Sequence, residues 1–268
     1  MGKAHDQTSK ALLKDYEVGR KIGRGTYGIV WQCQRADNHK KKFAVKKIFN
    51  AFQNWHDAQR TYREVITLLE MNHSNIVDVH EVFKADNDID LFLVFDLMQT
   101  DLRSALSSRI LRPIHTQYIT WQLFRALKYL HSAQIVHRDI KPANILLDKH
   151  CWMKLSDFGY ARTVNESGVS GNMTQYMGTR WYRPYEMLVG SNIYGTPVDM
   201  WSAGCVLGEM HKGAPIMPGS CTIQQMELIL EITGRPRPSD VAALGYPLAE
   251  ALLSKVITYI CPIIQISK

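Results

Sequence analysis

The nine residues Val136-His137-Arg138-Asp139-Ile140-Lys141-Pro142-Ala143-Asn144 place an acid, a cation and an amide close together, directly after an amphipathic helical segment. The carboxylate of Asp139 can orient a hydroxyl group and accept its proton, and Lys141 can neutralise charge on a transferring group. The amide oxygen of Asn144 can bind a divalent metal ion. This combination suits phosphoryl transfer, although a polar loop between a helix and a strand is also an ordinary connection. The remaining motifs must decide between the two.

A second pattern, Ile22-Gly23-Arg24-Gly25-Thr26-Tyr27-Gly28-Ile29-Val30, follows the order Gly-x-Gly-x-x-Gly-x-Val. A helix follows such a pattern in dinucleotide-binding folds, whereas a strand follows it in a phosphate-binding hairpin. Residues 29–34 are β-branched and aromatic, with polar residues alternating at the end, which predicts a strand. The glycines would then let backbone amides close over a triphosphate.

Two charged residues, Lys46 and Glu64, belong to the next two predicted elements. Residues 43–46 are predicted to form a strand, and residues 58–71 a helix. The helix is predicted from apolar residues that recur at i, i+3, i+4 and i+7, namely Tyr62, Val65, Ile66 and Leu69. Glu64 and Leu68 share another face, one turn apart. Taken alone, Lys46 would be interpreted as a surface lysine and Glu64 as an exposed helix acid.

The third motif is Asp-Phe-Gly at residues 157–159, after a predicted buried strand at 91–95 and a helix beginning near Pro113. One stripe of that helix, which delivers the loop of Asp139, consists of Ile119, Leu123, Ala126, Leu127 and Leu130. The glycine pattern, Lys46, the His-Arg-Asp loop with Asn144 and Asp-Phe-Gly stand in the order found in protein kinases. From about Tyr16 to about Ser254 the sequence resembles that family.

This resemblance implies an α+β, bilobal fold, with a flexible N-terminus at 1–15, a small β-rich N-lobe at 16–98 and a helical C-lobe at 99–254. It implies ATP and Mg²⁺ as cofactors, with Asp139 as catalytic base and Asn144 and Asp157 as metal ligands. Lys46 would contact the α- and β-phosphates while paired with Glu64. The implied ATP-binding residues are Ile22, Gly23, Arg24, Gly25, Thr26, Tyr27, Gly28, Ile29, Val30, Ala44, Lys46, Glu64, Phe95, Asp96, Met98 and Leu146. Among them, Phe95 would lie behind adenine and Leu146 beneath it.

Lys141, two residues after Asp139, resembles serine/threonine kinases rather than tyrosine kinases. Residues 174–176 (Thr-Gln-Tyr), 179–183 (Thr-Arg-Trp-Tyr-Arg) and 198–205 resemble the mitogen-activated protein kinases, nearest the atypical extracellular-signal-regulated kinases. The resemblance implies protein substrates phosphorylated at Ser/Thr-Pro sites and regulation by phosphorylation of Thr174 and Tyr176. Gln175 departs from the residues usual in that family, so both an upstream kinase and self-activation stay open as activators.

A phosphate adds about −1.5 to −2 charge and three acceptor oxygens, so it can gather arginines into one cluster. By the resemblance, phospho-Thr174 would meet Arg63, Arg138 and Arg162, and phospho-Tyr176 would meet Arg180 and Arg183. One phosphate would thereby connect the Glu64 helix with the catalytic loop. The alternative is that Thr174 and Tyr176 are ordinary loop residues without a regulatory role.

The chain departs from the family at two places. Residues 183–186 read Arg-Pro-Tyr-Glu where the family has Arg-Ala-Pro-Glu, and a proline at 184 restricts Arg183 to extended backbone and removes an amide donor. Residues 255–268 form an atypical apolar tail, and kinases of this type continue beyond it. We therefore expect a truncated C-lobe that lacks the arginine partner of Glu186, with reduced stability.

Composition narrows the remaining function classes. The net charge is +7, but the basic residues are dispersed apart from residues 39–42, so no nucleic-acid partner is expected. The five cysteines are scattered without a Cys-x-x-Cys spacing, which supports neither disulfides nor zinc. No apolar run approaches a membrane span. These features predict a monomer in the cytoplasm and/or nucleus.

Two functional hypotheses follow from the sequence. The first is a catalytic, proline-directed Ser/Thr kinase, because the nucleotide-handling and metal-handling residues are all present. The second is a nucleotide-binding form with weak catalysis that acts as a binding or competitor module. The two differ in one measurable property, phosphate turnover by a protein whose Thr174 and Tyr176 are phosphorylated.

Overall fold

The computed structural model of the chain describes residues 9–25, 28–164, 179–191, 194–243, 253 and 256. The chain divides into two compact units. The first unit comprises Met1–Asp101 and Leu146–Tyr160, and the second comprises Leu102–Ile145 and Ala161–Lys268. The first crossing lies close to the boundary predicted at residues 98 and 99. The return of residues 146–160 to the first unit was not predicted.

The first unit is built on an antiparallel five-stranded sheet with strand order β1-β2-β3-β5-β4. These strands are β1 (Tyr16–Gly25), β2 (Gly28–Arg35), β3 (Lys42–Ile48), β4 (Val79–Lys84) and β5 (Leu91–Asp96), with helix α2 (Trp55–Glu70) between β3 and β4. A second sheet has the order β6-β8-β9, formed by β6 (Thr100–Asp101), β8 (Ile145–Leu147) and β9 (Met153–Leu155). The second unit is mainly helical, so the predicted α+β class is confirmed.

The glycine pattern forms a hairpin, as predicted. Gly25 ends β1 and pairs with Gly28, which begins β2. A strand therefore follows the glycines, and the alternative of a dinucleotide-binding turn that opens a helix is excluded. The physical reason is the β-branched and aromatic run after Gly28, which alternates between a buried face and a half-buried face along β2.

A short helix, α1 (Lys10–Asp15), lies before β1, where the sequence predicted a flexible segment. The Ser9 hydroxyl caps this helix by accepting from the Ala11 N–H, and the side chain of Leu12 is fully buried with Tyr16 in the core of the sheet. The prediction of a flexible N-terminus is therefore wrong for residues 9–15. A single buried leucine in a polar segment provides no periodicity, so this contact could not be inferred from the sequence.

Helix α2 begins three residues earlier than predicted, because Asn54 caps it by accepting from the Asp57 N–H. The apolar stripe does not form the buried face of this helix. Tyr62 and Leu69 are 64% and 56% exposed, whereas Glu64 and Leu68 are 5% and 2% exposed. The helix packs against the 3₁₀ turn Phe158–Tyr160, and this contact favours the face of Glu64 over the more apolar stripe.

The second unit contains helices and one two-stranded sheet. The helices are α3 (Leu102–Ser107), α4 (Pro113–Ser132), α5 (Tyr185–Leu188), α6 (Pro197–Lys212), α7 (Thr222–Thr233) and α8 (Pro238–Ala243), and β7 (Ile135–Val136) pairs with β10 (Arg162–Thr163). The five apolar residues predicted as one stripe of α4 are all buried, and α4 packs against α6. Thr196 precedes α6 as predicted, but its side chain makes no capping hydrogen bond.

A buried ion pair stabilises the first unit. The Lys47 ammonium lies 3.0 Å from the Asp90 carboxylate, and the two side chains are 2% and 4% exposed. Asp90 also accepts from the Asn50 N–H at 2.8 Å and from the Asn87 amide at 2.8 Å. Burial alone would raise the pKa of Asp90, but these hydrogen bonds and Lys47 hold the pKa below its usual value.

The second unit contains a contrasting case, the acid Glu186, in which burial outweighs a backbone hydrogen bond that favours the charged form. Burial raises the pKa of Glu186, at the start of α5, and the structure shows no ion-pair partner for it among the described residues. Its neighbour Pro184 precedes α5 with extended backbone, and Arg183 is also extended at φ −89° and ψ 133°, as the proline predicts.

We expect Asp90→Asn to reduce the free energy of unfolding by about 3–5 kcal/mol, because it leaves the Lys47 ammonium buried without a partner. The lowered pKa means that Asp90 stabilises the fold above pH ~4 and that this contribution is lost as the pH falls through the folded-state pKa. Denaturant unfolding followed by tryptophan fluorescence measures both effects. Asp88→Asn, in a surface pair whose acid is 78% exposed, is the control. An equal, small effect of the two variants would contradict the prediction.

We expect Glu186→Gln to stabilise the protein at pH 7, because the variant removes a carboxylate whose ionisation is opposed by burial. Since the folded-state pKa is raised, ionisation of Glu186 destabilises the fold as the pH rises through that pKa. The difference between the variant and the wild type should therefore disappear below pH ~4, where the carboxyl group is protonated in both states. Thermal unfolding at pH 7 and at pH 4 tests this, with the exposed Glu231→Gln as control. A destabilised Glu186→Gln protein at pH 7 would refute it.

Candidate active site

The glycine hairpin lies at one end of a cavity of about 210 Å³ in the first unit. Gly28 is required by packing, because a Cβ atom there would clash with the carbonyl oxygen of Lys47 on β3. A Cβ atom at Gly25 would meet no atom within 4 Å, so the backbone there is open to a ligand. Ile22, Gly23 and Arg24 lie at the end of β1. Thr26 and Tyr27 fall outside the described residues.

Successive side chains of β2 and β3 point to opposite faces of the sheet, and this determines which of the predicted ATP-binding side chains face the cavity. Val30 pairs with Lys46, and both line the cavity. Ala44 lies two residues before Lys46 and therefore on the same face of the sheet. Ile29 faces the opposite side and is fully buried in the core of the sheet. Only the backbone of Ile29 is therefore available to a nucleotide at the hairpin, and the assignment of Ile29 to the ATP-binding residues stays a prediction.

Lys46 lies between two carboxylates of the same unit. Its ammonium is 2.6 Å from Oε1 of Glu64 on α2 and 3.8 Å from Oδ1 of Asp157. Glu64 is 5% exposed, so the ion pair is only weakly screened by water. All three side chains line the cavity together with the glycines. This arrangement positions one cation for contact with phosphate oxygens beneath the hairpin.

Asp157 has a left-handed backbone, with φ 65°, which is costly for a residue other than glycine. The next residues form a 3₁₀ turn in which Phe158 is 1% exposed and packs under α2. On the other side, β9 is held by Lys154, whose ammonium lies 3.0 Å from Asp78. The buried Phe158 and the fastened β9 together define the position of Asp157.

Residues predicted to contact adenine lie at the end of β5 and on β8. Phe95 pairs with Ala44 across the sheet. Asp96 lies 2.9 Å from Lys41 and 3.0 Å from His80, and these contacts hold its pKa below the usual value, although burial opposes the shift. Met98 is half-buried, as is Leu146 in β8. The contacts of these residues with adenine remain a prediction.

The second unit holds the residues of the opening loop. The Lys141 ammonium lies 2.7 Å from Oδ2 of Asp139, and the Asn144 amide nitrogen donates to the same oxygen at 3.0 Å and to the Asp139 carbonyl at 2.8 Å. Asn144 belongs to a 3₁₀ turn over Pro142–Asn144. The loop thus brings together the three residues that the sequence predicted, with the Asp139 carboxylate oriented by both neighbours.

The backbone before Asp139 is held by Asp199 of α6, which is fully buried. Its carboxylate accepts from the His137 N–H and the Arg138 N–H, both at 2.8 Å, and lies 3.0 Å from Nε2 of His131. Sequence reasoning missed His131. A single histidine in the last turn of α4 belongs to no motif, so no signal in the sequence identified it.

The predicted phosphate-receiving arginines fall into separate groups. Arg63 is on α2 in the first unit, whereas Arg138 and Arg162 belong to the second. Arg180 donates to the Ser220 carbonyl at 3.2 Å, and Arg183 follows the same 3₁₀ turn. Thr174 and Tyr176 lie outside the described residues, so their contacts with these arginines remain a prediction.

The two predicted metal ligands, one in each unit, carry oxygen donors of the kind that Mg²⁺ prefers. Within the described ranges, no cluster of three His, Cys, Asp or Glu residues could hold a metal ion. Asp157 carries a carboxylate, and Asn144, whose amide nitrogen donates to the Asp139 carbonyl, carries an amide oxygen. Their binding of one metal ion stays a prediction.

None of the described helices has the length and apolar character required to cross a membrane.

Comparison with known proteins identifies the family. The protein kinase domain matches residues 16–259. The chain is 48% identical over 256 residues to extracellular signal-regulated kinase 2 of Dictyostelium discoideum, which covers 94% of this chain and 69% of that protein. It is 41% identical over 259 residues to mitogen-activated protein kinase 15 of Caenorhabditis elegans, covering 94% and 55%. It is 40% identical over 258 residues to extracellular signal-regulated kinase 7 of Drosophila melanogaster, covering 93% and 28%.

The chain thus spans between 28% and 69% of the length of these three curated relatives. The matched region agrees with the span of resemblance predicted from the motifs. The chain therefore belongs to the protein kinase family, within its mitogen-activated protein kinase branch.

Proposed function

We propose that the protein transfers the γ-phosphate of ATP to serine or threonine hydroxyl groups of protein substrates. The observation that carries this proposal is the position of Lys46, 2.6 Å from Glu64 and 3.8 Å from Asp157 beneath the glycine hairpin. A lysine fixed in this way can bind phosphate oxygens, and its pairing with the helix glutamate is a condition for activity in this family.

The residues of the second unit support the acceptor side of the reaction. Asp139 can accept a hydrogen bond from a substrate hydroxyl and take its proton as the new bond to phosphorus forms. Lys141, at 2.7 Å from Asp139, can neutralise charge on the transferring group. Asn144 fixes the carboxylate so that one oxygen stays oriented.

Asp157 and Asn144 would hold Mg²⁺, which would supply positive charge to offset that of the ATP phosphates. The residues that we assign to the nucleotide are the glycines of the hairpin, Val30 and Lys46, which line one cavity. The finer assignments, including Ser/Thr-Pro substrates, a monomeric state and activation at Thr174 and Tyr176, are part of this proposal and follow from the family.

The competing hypothesis, a nucleotide-binding module with weak catalysis, is less well supported. Its basis was the expected loss of C-lobe stability, whereas the contacts among Asp139, Lys141 and Asn144 support the catalytic hypothesis. The relatives are all named as kinases. Turnover of a serine-proline peptide by the purified protein, after phosphorylation of Thr174 and Tyr176, separates the two hypotheses directly.

We expect Asp139→Asn to lower kcat for a serine-proline peptide by about 10²–10⁴-fold, because the asparagine cannot accept the hydroxyl proton. The affinity for Mg-ATP should stay close to that of the wild type. A radiolabelled phosphate-transfer assay and titration with a fluorescent ATP analogue measure the two quantities. Asp88→Asn is the matched surface control. Wild-type turnover by Asp139→Asn would remove Asp139 from this role.

We expect Glu64→Gln to raise KM for ATP and to lower kcat, with a loss in kcat/KM of about 10–100-fold. The variant keeps the side-chain shape but loses a charge-assisted hydrogen bond to Lys46, worth about 1.5–3 kcal/mol. Steady-state kinetics at varied ATP concentration provide the measurement. Glu70→Gln, an exposed residue on the same helix, is the control. Kinetics of Glu64→Gln indistinguishable from those of Glu70→Gln would be incompatible with the proposed role of the ion pair.

A further inference from the structure

Tyr194, which belongs to none of the motifs, is a buried tyrosine in the second unit. It is 7% exposed and forms a small apolar cluster with Val136 and Val198. Val136 immediately precedes the opening loop, and Val198 immediately precedes Asp199. The ring is thus packed against the backbone on both sides of the Asp199 contact.

The guanidinium of Arg138 lies over this ring, 5.5 Å from its centroid, and the Arg138 side chain also makes a hydrogen bond with the hydroxyl group. Cation–π contacts of this kind contribute more when they are removed from water, as here. Arg138 therefore has two separate contacts with one side chain, one with the face of the ring and one with its polar end.

Two further arginines act on the same tyrosine. Burial raises the pKa of Tyr194, while the positive charges of Arg138, Arg162 and Arg183 oppose that shift. Arg162 pairs with Val136 in the two-stranded sheet. The sequence divided these arginines between two phosphorylated residues, whereas the charges of all three oppose the shift at one tyrosine. The tyrosine hydroxyl is neutral, and it accepts from a cation without requiring an anion.

Arg138 needs such support because its backbone is left-handed, with φ 70°. This conformation costs a non-glycine residue about 1–2 kcal/mol. Its N–H is held by Asp199 at 2.8 Å, and its side chain is held by Tyr194. The residue that follows is Asp139, so any relaxation of Arg138 changes the position of the proposed catalytic base.

We propose that Tyr194 is a positioning residue, which holds the Arg138 side chain through its ring and hydroxyl group and thereby keeps the adjacent Asp139 in its working geometry. This role rests on the proposed function. It assigns to Tyr194 the task of keeping the arginines in place before any phosphate binds. The alternative is that Tyr194 only fills space in the apolar cluster.

The test is a double-mutant cycle on kcat with Tyr194→Phe, Tyr194→Leu, Arg138→Ala and the combined variants. Loss of the hydrogen bond in Tyr194→Phe should lower kcat about three- to tenfold, and loss of both contacts in Tyr194→Leu about ten- to a hundredfold. KM for ATP should not change. In the Arg138→Ala background, neither Tyr194 variant should lower kcat further. Tyr118→Phe, on α4, is the control for loss of a tyrosine hydroxyl.

The concentration of folded protein in each sample is determined from the stoichiometry of nucleotide binding, so that a loss of stability is not mistaken for a loss of kcat. Full additivity of the Tyr194 and Arg138 effects would overturn the proposal, as would a Tyr194→Leu protein with wild-type kcat. A role in packing alone predicts these two outcomes, together with a lowered unfolding temperature.

A second measurement does not depend on activity. Hydrogen–deuterium exchange of the segment 135–144 should become faster in Tyr194→Leu, because the N–H groups of Arg138 and Asp139 lose their fixed geometry, and it should not change in Tyr118→Phe. In the Arg138→Ala background the acceleration should disappear. If the wild type transfers no phosphate, the proposed function fails while exchange still decides the role of Tyr194. Unchanged exchange in Tyr194→Leu would refute that role.

Discussion

The buried carboxylate of Asp199 is the constraint on which the opening loop depends. It is fully removed from water, and its charge is compensated by the N–H groups of His137 and Arg138 and by His131. An uncompensated buried charge is costly, so the loop must present these two N–H groups to it. That requirement fixes the left-handed backbone of Arg138, and Asp139 follows directly. The geometry of the proposed catalytic base is therefore a consequence of satisfying one carboxylate.

In the first unit the constrained group is a cation, Lys46, which also requires a partner of opposite charge. Lys46 would be an isolated cation on a half-buried strand face without Glu64, and Glu64 would be an unpaired buried acid without Lys46. Their contact makes the register of β3 and the rotation of α2 depend on each other. Asp157 joins this pair at 3.8 Å because Phe158 is buried under α2. Nucleotide handling and core packing are thus parts of one arrangement.

The arginines show why charged clusters need more than complementary anions. Three cations act on the neutral Tyr194, and Arg138 is held by a ring face and a hydroxyl group. The neutral hydroxyl group accepts from Arg138 and does not neutralise the positive charge of the guanidinium at this contact, as an acid would.

The sequence by itself determined the motifs, their order and the family. It also determined local structure wherever the pattern was strong, because the run after Gly28 favours a strand and the stripe of α4 repeats with helical spacing. Only the tertiary structure decided the exposure of Tyr62 and Leu69 on α2, the burial of Ile29, helix α1 and the contacts of His131 and Tyr194. In each case the deciding partner is distant in the chain. Helix α2 turns its less apolar face inward because Glu64 on that face pairs with Lys46. The hydrophobic periodicity of residues 55–70 does not encode this contact.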